Sequence, residues 1–100
     1  MKFIYAPALQ EYMKKQGKDT IVVELVEINN SDLEVSELHI QLVDQKRAQF
    51  FREKKRYRSV DTEHGTVLLP RYPLQVAETV TFGLKSFLCF RYVTCKGIKV

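Results

Sequence analysis

No part of this chain restricts its fold more than the run Ile21-Val22-Val23-Glu24-Leu25-Val26-Glu27-Ile28. Six of these eight residues are apolar and five branch at Cβ, which limits their side-chain rotamers and suits them to a pleated surface. The run is short enough for a largely buried strand, so the rest of the chain has to close over it. One hundred residues can bury the core of one domain without metals or disulfides but are too few for two independent ones, and residues 1–100 are therefore expected to form a single domain.

Upstream, residues 2–5 read as a short strand or extended lead-in, followed by a helix from Pro7 to about Gln16. Proline is well placed in a first helical turn. Leu9, Tyr12, Met13 and Gln16 follow the spacing of one buried stripe, and Glu11 stands four residues before Lys15. Lys14, Lys15 and Lys18 suit the negative end of the helix dipole, and Gly17 is the expected left-handed cap.

Downstream, Asn29-Asn30-Ser31-Asp32 is a turn-forming cluster. A second strand is expected over 38–43, where Leu38, Ile40 and Leu42 alternate with polar residues. Between 44 and 56 the patterns compete. Ala48, Phe51 and Lys55 suit a helical face, Ala48, Phe50 and Arg52 suit a pleat, and the dense charge suits a loop; the segment is read as an exposed excursion. Tyr57 to Val60 and Thr66 to Leu69 flank Asp61-Thr62-Glu63-His64-Gly65 as a hairpin whose second arm stops at Pro70. After a proline-punctuated connector, Glu78 to Phe82 reads as a strand and Phe87 to Thr94 as a last one. Large side chains on both faces of that last strand suggest a central strand or a contact surface.

Lys46, Arg47, Arg52, Lys54, Lys55, Arg56 and Arg58 supply seven of the sixteen basic residues, opposed only by Glu53. The net charge of +4 is thus a property of one segment, without which the remainder is slightly acidic. With Phe50, Phe51 and Tyr57 interleaved, these cations have the composition needed for phosphate neutralisation and base stacking. The plainer reading is a solvated loop with two phenylalanines tucked onto the core.

Other chemistries find little support. His39, His64, Cys89 and Cys95 are the soft metal ligands, and none stands at a zinc-site spacing. Nothing brings either cysteine to a histidine, and Glu24 and Glu27, three apart on a strand, point to opposite faces. The glycines at 17, 65, 83 and 97 are too dispersed for a phosphate-cradling loop. On one strand, Cys89 and Cys95 would lie about 20 Å apart at about 3.3 Å per residue, beyond disulfide reach. Two buried, reduced thiols fit the cytoplasm. The opening Met1-Lys2-Phe3-Ile4-Tyr5-Ala6-Pro7 is too short for a secretory signal, and no run approaches the roughly 18 apolar residues of a membrane span.

Two stretches carry a family likeness: Pro7 to Ile21 continuing to Glu27, and His64-Gly65-Thr66-Val67-Leu68-Leu69-Pro70 followed by Leu84-Lys85-Ser86-Phe87-Leu88-Cys89-Phe90. With the order of helix, long strand, turn, hairpin and C-terminal strands, the chain resembles the HesB-like fold of the A-type iron–sulfur carriers, and most nearly their small bacterial relatives, the CC/Se-motif proteins. That resemblance implies a cysteine motif after the first long strand and, in the carriers, a further cysteine pair near the C-terminus. Here the first place holds Asn29-Asn30-Ser31-Asp32, and the chain ends Cys95-Lys96-Gly97-Ile98-Lys99-Val100. Asn and Ser do not replace thiolates on iron, so no ligand residue carries over and no cofactor is expected.

The expectation is an α+β fold: a small, mostly-β domain with one N-terminal helix packed on mixed or antiparallel sheets, HesB-like and cytoplasmic. It is expected to be non-enzymatic and to act through protein contacts or as a homodimer. The alternative is polyanion or nucleic-acid binding through residues 46–58; no membrane partner is expected.

Overall fold

The computed structural model describes residues 2–30 and 33–99. Nine elements follow in order: β1 (Lys2–Tyr5), α1 (Pro7–Gln16), β2 (Thr20–Asn30), β3 (Leu33–Val43), α2 (Gln45–Glu53), β4 (Arg58–Asp61), β5 (Thr66–Leu69), β6 (Gln75–Phe87) and β7 (Phe90–Lys99). The strands form two mixed sheets, one ordered β1-β6-β7 and the other β3-β2-β5-β4. β1 runs parallel to β6, and β2 parallel to β5; the remaining pairs are antiparallel.

The apolar run of β2 explains this layout. Ile21 and Val23 join Tyr5, Leu9, Met13, Val67, Leu69, Val80 and Phe82 in a core between the sheets and α1. Val22, on the opposite face of the pleat, joins Leu68, Val43, Ala48 and Phe51 in a second core beneath α2. Ile21, Val22 and Val23 are all fully buried, as are Val67 and Leu68 beside them. Burying each such side chain stabilises the fold by roughly 1.5–3 kcal/mol.

The opening helix forms where expected, with Leu9 and Met13 buried and Gly17 at φ 64° as its cap. Gln16, read as part of the buried stripe, is exposed, because α1 covers the sheet only along its first turns. The segment read as an exposed excursion is instead a second helix. The Asp44 carboxylate accepts the Arg47 N–H at 2.8 Å, capping α2 at its start. Ala48 and Phe51 then face inward three residues apart and are buried to within 1%. The fold therefore has two helices rather than one.

Both strands of the first hairpin are longer than expected, pairing in unbroken register from Thr20↔Val43 to Asn30↔Leu33. Asn29 and Asn30 belong to β2, while Ser31 and Asp32 of the anticipated turn lie outside the described residues. The larger correction concerns the C-terminus. The expected single strand from Phe87 to Thr94 is broken by a two-residue turn at Leu88-Cys89, with Phe87 paired to Phe90. The strand expected over 78–82 extends from Gln75 to Phe87 to form the other arm. β7 is an edge strand, not a central one.

β5 begins where Thr66 N–H donates to the Asp19 carbonyl at 2.9 Å. This brings the backbone of Gly65 against Asp19, and a Cβ at position 65 would overlap the Asp19 carbonyl oxygen. Gly65→Ala is expected to displace the start of β5 and destabilise the protein by about 2–4 kcal/mol in urea unfolding. Gly17→Ala, at a left-handed cap with open space around it, should cost about 1 kcal/mol. Equal losses for the two would show that the β5–Asp19 contact does not set the sheet.

Candidate functional site

Three places have the chemistry to act: the turn joining β6 to β7, the basic surface around α2, and the two thiols. At the turn, Val80, Phe82 and Val93 are buried, and Leu84 and Cys95 pack against that core. Past Leu84 and Val93 the two strands leave the core, and both thereafter carry large apolar side chains into solvent. Phe87 is 67% exposed, Leu88 84% and Phe90 72%, with Tyr92 half-exposed behind them. Leu88 also adopts φ 55°, the left-handed region that favours glycine or asparagine. Lys85 pairs with Tyr92 and Ser86 with Arg91, so a cation stands on each strand just behind the apolar tip. The Arg91 guanidinium lies over the Tyr12 ring of α1 at 5.9 Å.

The seven expected polyanion-binding residues do come together. Lys46, Arg47 and Arg52 project from α2, and Lys54, Lys55, Arg56 and Arg58 continue through the connection into β4. All are exposed apart from the half-buried Arg52. Arg47 lies over the Phe50 and Phe51 rings at 5.0 and 5.1 Å, and Arg52 donates to Ser59 Oγ at 3.0 Å. Phe51 anchors the helix while Phe50 stays 38% exposed, so only one of the two phenylalanines is tucked away. Arg71, which the sequence reading did not include, donates through Nε to the Arg56 carbonyl at 2.7 Å and extends this surface. Among the described residues no Lys or Arg is ion-paired; the salt bridge present joins His39 Nε2 to Glu37 at 3.3 Å. The i to i+4 pair of Glu11 with Lys15 is accordingly not formed.

Both cysteines are free. Cys89 is exposed at the tip, correcting its reading as a buried thiol. Cys95 lies half-buried in β7 beside the core, and burial pushes its thiol up to about 11. Such a thiol stays protonated at neutral pH and is a weak nucleophile. Among the described residues no three of His, Cys, Asp and Glu gather as a metal group would need. A thiolate-held cluster needs more cysteines together than Cys89 at the tip and Cys95 beside the core provide. His64 packs its ring edge on Tyr5, 5.3 Å between centroids, and lines an open groove of about 470 Å³ with Gln10, Met13, Lys14, Asp19 and Gln45. The Asp19 carboxylate there is already held by Gln45 Nε2 at 2.8 Å and Thr20 Oγ1 at 3.1 Å. No helix of the described residues is long and apolar enough to cross a membrane.

The two thiols should separate in alkylation. At pH 8 in dilute folded protein, iodoacetamide is expected to modify Cys89 and leave Cys95 unmodified, as mass spectrometry of peptides would report. Cys95 should gain reactivity only as pH rises toward about 11, where its thiolate forms. Equal labelling at pH 8 would place Cys95 outside the core. Compared with family models, curated proteins and solved structures, the chain matches none.

Proposed function

We propose that this chain is a non-enzymatic, HesB-like domain without cluster ligands that works by protein contact, using the tip of the β6–β7 hairpin. The observation that carries this reading is Leu88. Its side chain is 84% exposed and its backbone is left-handed, so it weakens the isolated fold twice. A left-handed backbone costs a non-glycine residue about 1–2 kcal/mol, and exposed leucine recovers none of it by burial. A strained residue retained at an exposed apex has its use outside the fold. Phe87 and Phe90 on either side complete an apolar apex of the kind that marks contact surfaces. The HesB-like part of the proposal draws on the order of short strand, helix, long strand pair and C-terminal strand pair.

Leu88→Asn is expected to raise stability by about 0.5–1 kcal/mol in urea unfolding, because asparagine tolerates the left-handed region. The triple variant F87S/L88N/F90S should keep the parent's circular dichroism and lose binding of a hydrophobic dye. An unfolded triple variant would make the tip structural and end this reading, as would a parent that binds no dye.

A second reading has its own observation: seven cations converge on α2 and its exit, free of ion pairs among the described residues. A polyanion bound there would be retained electrostatically, by release of its counterions. The parent should bind heparin in low salt and elute as salt rises, and K54E/K55E/R56E should elute markedly earlier. Retention unaffected by that variant would remove the basic face from consideration.

A further inference from the structure

The charges of the two long hairpins are segregated by sign. From Thr79 to Val100 the sequence has Lys85, Arg91, Lys96 and Lys99 and no carboxylate. From Ile21 to Asp44 it has six carboxylates and no Lys or Arg. Apart from Glu78 near the start of β6, the β6–β7 hairpin is thus cationic, and the β2–β3 hairpin carries acidic charge without Lys or Arg. Among the described residues, no Lys or Arg forms an ion pair with a carboxylate. Glu24 accepts instead from the neutral Gln41 amide, and Glu37 sits with His39.

Both hairpins also outrun their neighbours. β1 pairs with β6 only as far as Phe82, and β5 with β2 only over Thr20–Val22. Among the described residues, each hairpin therefore presents a ladder edge without a strand beside it, apart from the Tyr57 hydroxyl that accepts Leu25 N–H at 3.1 Å. Open ladder edges are templates for pairing with another chain. Inside one molecule the two hairpins already lie side by side: Ile40, Gln41 and Leu42 of β3 share a groove with Arg91, Tyr92 and Val93 of β7.

We infer that the partner of the apolar tip is a second copy of this chain, each copy laying its cationic β6–β7 hairpin along the anionic β2–β3 hairpin of the other. This inference rests on the docking role proposed for the tip and names its partner. In a two-fold pair one surface meets a different surface of the partner reciprocally, so opposite charges can match in both halves at once. A tip-to-tip pair would instead set Lys85 and Arg91 against their own copies, with no Asp or Glu from Thr79 to Lys99 to relieve them. Leu25, half-buried in β2 next to Glu24, offers apolar ground for Phe87, Leu88 and Phe90.

The test is molar mass by sedimentation equilibrium over a concentration series at low and high salt. The parent should form a dimer whose dissociation constant rises about tenfold or more in high salt. K85E/R91E should be monomeric, and so should E24K/E37K; an equimolar mixture of the two should restore a one-to-one dimer. Should E24K/E37K fail to fold, E37K alone, at an exposed position, is expected to weaken the parent's dimer and to pair with K85E/R91E. Failure of the mixture to recover dimer would overturn the inference, as would a dimer that survives K85E/R91E. A parent that stays monomeric while its tip still binds hydrophobic dye would remove the second copy and leave the docking role standing. Sedimentation of a monomeric parent with anionic vesicles would assign the tip to lipid instead.

Discussion

The structure depends on the burial of three consecutive residues, Ile21, Val22 and Val23, on both faces of one strand. Alternate side chains of β2 feed different cores: Ile21 and Val23 enter the larger core against α1 and the β6 sheet, and Val22 enters the one beneath α2. A strand buried on both sides needs a covering layer on each, and the second sheet and the second helix supply them. Parallel β5 repeats the pattern beside it, with Val67 and Leu69 on one side and Leu68 on the other. Gly65 makes that pairing possible by letting the chain approach Asp19 closely enough for Thr66 to bond its carbonyl.

Much of this was legible where local chemistry and packing agree. Pro7, the Leu9/Met13 spacing and Gly17 each mark α1, and Gly65 with Pro70 brackets β5. The second helix was not legible for a definite reason. Its spacing of Ala48 and Phe51 competes with a pleated alternative in a highly charged segment, and the signal that decides between them is the Asp44 cap one residue before it. The C-terminal hairpin was missed because its turn lacks Gly, Asn, Asp and Pro; Leu88 accepts a backbone that those residues normally provide. A trace of it is present in the pattern. The inward residues are even-numbered at Val80, Phe82 and Leu84 but odd-numbered at Val93 and Cys95, a parity change that an uninterrupted strand cannot make.

The candidate sites divide along the same line. The seven cations of residues 46–58 could be named from the sequence because charge needs no tertiary information, although their common surface follows from α2 and its exit. The apolar tip could be noticed only as an excess of large side chains on both faces of a presumed strand. Its meaning changes with the turn: the residues are not shared between two packed layers but carried beyond the core, where Phe87, Leu88 and Phe90 face solvent. Cys89 moves outward with them while Cys95 stays against the core, so two cysteines read alike take different environments.

A chain that closes both cores around β2 and spends little of the β6–β7 tip on them should show that division in its local stability. Native-state hydrogen exchange followed residue by residue in dilute protein reads it directly. The slowest amides should be those of Ile21 to Val23 and of Val67 to Leu69, exchanging only with global unfolding, and exchange from Lys85 to Tyr92 should be fast. Exchange from Lys85 to Tyr92 as slow as that of Ile21 to Val23 in the dilute monomer would contradict it, because the tip would then belong to the fold rather than to a contact outside it.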